Sequence, residues 1–263
     1  MKRRDMLIGA GTLLAAGRVL AQGAPAGVTI QFLGHMCFLF TGGGLRLLVN
    51  PFRPIGCTQG YRPPRVPADL VLVSSLLLDT GYAIDLPGDP RVLATPGDYE
   101  LPNNFKVSGF QTFSDRLGGR RFGANICWRW TQGGIRFLHL GGIATPVSVE
   151  QRILFGNPDV LFVPVGGRDK AYNPKEAAEA VQALNPKIIV PTHFRTAAAD
   201  DQCDLFPVED FLALMGNIPV RRLGDQVTIR PGDLPKQGSL IHLFSYNFPT
   251  PVTTPAPRPQ PRR

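Results

Sequence analysis

Histidine and cysteine are scarce in this sequence, with four of each among 263 residues. Cys37, Cys57, Cys127 and Cys203 are too few and too widely spaced for a disulfide scaffold, and none forms a C-x-x-C pair. Three pairings are conceivable, while Cys37 and Cys127 sit in strand-like runs and read as buried thiols. Runs of Lys and Arg are missing inside the folded part, as are aromatic-basic repeats, which excludes an evident nucleic-acid surface. No stretch resembles G-x-x-x-x-G-K-[ST]: Gly42–Gly44 and Gly166–Lys170 are glycine turns in the wrong context for a phosphate loop. With 43% hydrophobic and 18% charged residues, neither a disordered chain nor a multi-span membrane protein fits.

The two ends differ from the middle. Residues 1–21 combine Arg3 and Arg4, a modest apolar stretch and the small-residue site Val19-Leu20-Ala21, the pattern of a twin-arginine export leader cleaved after Ala21. Residues 247–263 place six prolines between Pro249 and Pro261 and read as an extended tail. Of the net charge of +8, Lys2, Arg3, Arg4 and Arg18 against Asp5 supply +3 and Arg258, Arg262 and Arg263 supply +3. The +2 left for the folded part gives no reason to expect nucleic acid as a partner. Once the leader is removed, no stable membrane span is expected, and the destination is a periplasm or thylakoid lumen.

Between residues 28 and 246 the pattern predicts one layered α/β domain. Short strands come first, including a hairpin around Gln132-Gly133-Gly134 with Ile126, Trp128 and Trp130 on one face. Strand and helix then alternate. The helix over NPKEAAEAVQAL starts with Asn173 as N-cap, Pro174 at the first position and Glu176 placed to close a capping box.

Several segments, in order, resemble the metallo-β-lactamase superfamily and its ascorbate-6-phosphate lactonase-like branch: VTIQFLGHMCFLF, LLVNPF, ADLVLVSS, FLHLGGIAT, and the last third through PTHF. That likeness implies a four-layer αβ/βα sandwich with its site at one edge. It also implies a His-x-His-x-Asp-His loop, since a catalytic zinc needs three protein ligands and an open position for water. At the matching positions stand Ser75, Leu77, Asp79 and Thr80. Gly142 replaces the bridging aspartate, and Ser114 and Asp115 occupy the region expected to hold the middle histidine. Asp79 and His193 are the two ligands kept.

Three readings follow. A rebuilt mononuclear site for zinc or another divalent metal would use Asp79, His193 and a recruit from His35, Asp115 or His139, with His35 preferred. A serine nucleophile at Ser74 or Ser75, with His193 as base and Asp79 as orienter, has the right residue types. An exported binding or assembly protein without a tightly bound metal is the reading placed first. Its partner would be a small molecule or a protein, with Arg120, Arg121, Trp128, Arg129 and Trp130 shaping a pocket. The plainer reading of those tryptophans is sandwich core.

Overall fold

The computed structural model describes residues 27–248; the predicted leader and most of the proline-rich tail lie outside them. The period-two patterns become two packed sheets. The six-stranded sheet takes β1 (Val28–Gly34), β2 (Cys37–Gly42), β3 (Leu45–Val49), β4 (Leu70–Leu72) and β5 (Arg91–Leu93) in sequence order. A late strand, β13 (Gln226–Ile229), pairs antiparallel with β1, Val28 opposite Ile229.

The eight-stranded sheet begins with an antiparallel meander of β6 (Gly97–Leu101), β7 (Phe105–Phe113), β8 (Ala124–Gln132) and β9 (Ile135–His139). It continues in parallel through β10 (Val160–Pro164), β11 (Ile188–Thr192), β14 (Leu240–Leu243) and β12 (Val220–Arg222). β10 and β11 are buried at every position, as parallel strands covered on both faces must be. The β8–β9 hairpin forms where its turn residues predicted it. β6 and β14 were not anticipated: β6 is mostly exposed, and β14 lacks alternation.

Trp128, Trp130, Phe38, Phe40, Phe137 and Phe162 fill the space between the sheets. Phe40 meets Trp130 edge-on at 5.0 Å, a geometry that aromatic quadrupoles favour. Three helices, α1 (Val149–Phe155), α2 (Pro174–Leu184) and α3 (Val208–Leu214), cover the outer face of the eight-stranded sheet. Asn173 caps α2, and Glu176 returns the reciprocal bond to the Asn173 N–H.

The outer face of the six-stranded sheet is covered by loops, with Phe52, Tyr61, Ala68 and Ala198 packing on Cys37, Leu48, Val71 and Val73. The expected αβ/βα layering therefore holds, with loop structure forming one outer layer. Cys57 and Cys203 form a disulfide that ties two of these loops across 146 residues of sequence. A bridge of this kind contributes about 2–5 kcal/mol, largely by restricting the unfolded chain. Cys37 and Cys127 are buried thiols.

Candidate functional site

Chain segments leaving β1, β4, β10 and β11 converge on one edge of the sandwich. In sheets with parallel strands, carboxyl-terminal ends are where side chains can leave the ladder and face a ligand. The backbone there is unusual: His35, Asn50, Ala171 and His193 all have left-handed φ angles, of 56°, 52°, 62° and 52°. Such conformations cost a non-glycine residue about 1–3 kcal/mol, so surrounding contacts must hold them. One of these contacts joins the two histidine segments directly, the His193 N–H donating to the His35 carbonyl.

His35, Asp79 and His193 come together, with one donor atom from each lying within 4.8 Å of the others. The imidazole rings stand 4.7 Å apart and are tilted by 58°. Both are buried. Burial pushes the His35 pKa down to about 4 and that of His193 well below its ordinary value, so both rings are neutral at pH 7. Among the described residues, no protein atom bonds to His35 Nδ1 or Nε2, nor to His193 Nδ1.

The carboxylate is engaged. Lys170 Nζ donates to Asp79 Oδ1 at 2.8 Å and to Oδ2 at 2.6 Å, and the Thr80 hydroxyl donates to Oδ1 at 3.0 Å. Burial would raise the Asp79 pKa, but the Lys170 charge and its hydrogen bonds outweigh it and hold the carboxyl well below its usual range. The Lys170 and Asp79 side chains keep only 15% and 26% of their surface exposed, so the pair is screened less than a surface ion pair.

The loop carrying Lys170 is fixed from outside. Arg116 donates to the carbonyls of Arg168, Asp169 and Ala171 while pairing with Glu176. Arg121 pairs with Asp169 on the same loop, and the Ala171 N–H reaches the Ser114 carbonyl. In the loop carrying Asp79, Thr80 and Gly81 N–H both donate to the Leu77 carbonyl and Leu77 N–H contacts Ser75 Oγ, while Ser74 N–H reaches Asn50 Oδ1 and the Ser74 and Leu78 carbonyls accept from Ile126 and Arg53 N–H. Leu76 and Leu78 point outward, 80% and 44% exposed, so the LLL run does not form a uniform apolar plug.

The other candidates lie elsewhere or carry other bonds. Asp115 accepts four backbone N–H bonds, from Leu117, Gly119, Arg121 and Phe122, and organises its own loop. His139 is buried and stacked on Phe162, with Nδ1 accepting the Gly141 N–H. A linked Ser–His–Asp arrangement is not formed among the described residues: Asp79 bonds to Lys170 and Thr80, and His193 Nδ1 is unbonded. Arg129 lines a cavity of about 710 Å³, but its guanidinium is bonded to the Leu154 carbonyl and Ser108 Oγ. Arg120 donates to the Leu117 carbonyl. Trp128 and Trp130 are buried in the core.

Lys170 is the site residue that sequence reasoning missed. It lies 91 positions from Asp79 within what read as a plain glycine turn, and no local spacing connects the two. A metal would find suitable nitrogen donors here, but the carboxylate that must complete the set is held by an ammonium on both oxygens. As they stand, these residues do not fit a divalent cation.

Two packed sheets with helices outside them, and functional side chains at one edge, define the metallo-β-lactamase fold. A model of the beta-lactamase superfamily domain matches residues 29–193. A member of the metallo-beta-lactamase superfamily from Thermotoga maritima superposes with a TM-score of 0.66 at 30% identity, over 83% of this chain and 100% of that one. Two curated relatives are UPF0173 metal-dependent hydrolases. That of Thermococcus onnurineus is 25% identical over 79% of this chain and 98% of its own length. That of Thermococcus kodakarensis is 28% identical over 78% and 98%. The chain belongs to the metallo-β-lactamase superfamily.

Proposed function

We propose that this chain is an exported member of its superfamily that has given up dinuclear hydrolysis and serves as a binding or assembly protein. The carrying observation is the content of the ligand loop. Ser75 and Thr80 offer hydroxyls where imidazoles are implied, Leu77 offers no donor, and Gly142 has no side chain. Leucine cannot coordinate a metal and a neutral hydroxyl does so weakly, so two metals have too few protein ligands. Without a metal's field, a bound water keeps a pKa far above 7 and is a poor nucleophile at neutral pH. The Cys57–Cys203 bridge supports the export part of the reading, because structural disulfides persist in oxidising compartments.

A second reading, an altered mononuclear hydrolase, draws on the convergence of His35, Asp79 and His193 and on the metal-dependent hydrolases among the relatives. A panel of lactones, esters and phosphodiesters, run with and without added zinc, separates the two. The lactonase-like resemblance puts lactones first. The binding-protein reading expects no turnover above the buffer rate under either condition. Turnover that requires zinc and disappears in His193→Ala establishes the second reading instead.

A further inference from the structure

We infer that the Lys170 ammonium is a cation built into the protein at the place where the superfamily holds a metal, and that it closes an otherwise competent three-donor metal site. The inference rests on the functional reading above, since it explains how the cluster is stabilised without a metal.

The charge balance comes first. The Asp79 carboxylate and the Lys170 ammonium are paired on both carboxylate oxygens, so the negative charge that would face a metal is already balanced. A divalent cation added beside Lys170 would leave +2 uncompensated in a largely buried place, where unpaired charge is costly. Both Asp79 oxygens would also have to exchange the short bonds at 2.6 and 2.8 Å for the metal. With the ammonium removed, Asp79 and two neutral imidazoles remain within 4.8 Å, the two-histidine, one-carboxylate set that binds divalent metals.

The second support is how Lys170 is held. A lysine that had merely wandered onto a vacant carboxylate would sit on a loose loop. Here Arg116 bonds carbonyls on both sides of Lys170, at Arg168, Asp169 and Ala171, and Arg121 anchors Asp169. Ala171 adopts its left-handed φ of 62° immediately after the lysine. Gly167 permits the close turn, because a Cβ there would lie 2.2 Å from the Lys170 carbonyl oxygen. The ammonium is delivered by an ordered segment, so no further backbone entropy is lost when it pairs with Asp79. Both nitrogens of His35 and Nδ1 of His193, by contrast, have no partner among the described residues. The resulting pattern is a metal site whose nitrogen donors remain and whose carboxylate has been reassigned.

The test measures metal directly, in the purified full chain, after exposure to zinc and separately to cobalt(II). Wild type and Lys170→Arg, which keeps a cation in place, are expected to retain well under one equivalent of zinc after desalting. They should also show no d–d absorption with cobalt. Lys170→Met and Lys170→Gln are expected to retain close to one equivalent, to bind zinc at least about 100-fold more tightly than wild type through relief of like-charge repulsion, and to lose it when His193→Ala is added. Using two replacements keeps the test decisive if one of them folds poorly. One tight equivalent in wild type, or equally weak binding in wild type and both neutral variants, overturns the inference. Turnover on the panel above that needs no zinc overturns the functional reading alone, and one tight equivalent of metal without turnover overturns the inference alone, so the two ideas fail separately.

Discussion

The loop after β4 and the loop after β10 meet at one carboxylate, and they are held by different kinds of contact. The first, residues 74–81, combines short turns of its own, made by the Leu77, Thr80 and Gly81 N–H groups, with ties from its main chain to Asn50, Arg53 and Ile126. The second, residues 166–173, relies on Arg116 and Arg121 from a distant part of the chain. The difference shows what each loop requires. A loop held by main-chain bonds depends on close backbone packing, whereas a loop that must present one ammonium needs arginine struts.

The largest expected effect comes from breaking the backbone packing of the loop after β4. A Cβ on Gly81 would sit 1.8 Å from the Ser75 carbonyl oxygen, whereas one on Gly142 would meet nothing closer than Asn125 Oδ1 at 3.9 Å. Gly81→Ala should therefore lose about 4 kcal/mol or fail to fold, and Gly142→Ala should change stability by about 1 kcal/mol or less. Equilibrium denaturation of both variants measures the contrast. Similar losses at the two positions would show that the tight closure of residues 74–81 is unimportant.

A middle-sized effect is expected from acid. Burial lowers the His242 pKa to about 4, with the Arg221 charge adding to it. The folded pKa lies below the unfolded one, so the unfolded chain binds the proton more readily. The stability from burying neutral imidazole is fully present above about pH 6.5 and is lost as pH falls towards 4. Urea titrations at pH 7 and pH 5 should show wild type losing more stability than His242→Gln, by up to about 2 kcal/mol. Equal losses would mean that His242 does not titrate differently on unfolding.

The smallest effect belongs to the struts. Arg116→Ala removes bonds to three carbonyls on the lysine loop, which is partly open to water and can recruit replacements. A loss of about 1–2 kcal/mol is expected, with amide exchange faster across residues 166–173 and unchanged across 74–81. Equal acceleration in both loops would remove the distinction drawn between them.

Much of this arrangement could be read from the chain before any coordinates. Alternating patterns marked β1, β2 and the β8–β9 hairpin, and the Asn173-Pro174-Glu176 signal placed the start of α2, because periodicity and capping are local properties. β6 escaped notice because an exposed edge strand carries no apolar stripe, and β14 because it lies between two parallel neighbours and has no alternation. The donors His35, Asp79 and His193 were legible as residues, through resemblance. Lys170 was not, because its role exists only where two strand ends meet across the sandwich. The outward orientation of Leu76 and Leu78 was hidden for a similar reason: composition says that a run is apolar but not which side chains the backbone turns inward.

The pairing of β1 with β13 bears on how the molecule is assembled. Val28 finds its partner Ile229 some 200 residues later, and the Cys57–Cys203 bridge spans a comparable stretch. Contacts of such long range must pay loop-closure entropy before they return any stabilisation, which makes folding slow. On a ribosome, β1 waits with one hydrogen-bonding edge open until nearly the whole domain has emerged, and an open edge invites pairing with the wrong chain. Pairing with β13 then moves the open edge from β1, buried at alternate residues, to a strand with two of its four residues exposed.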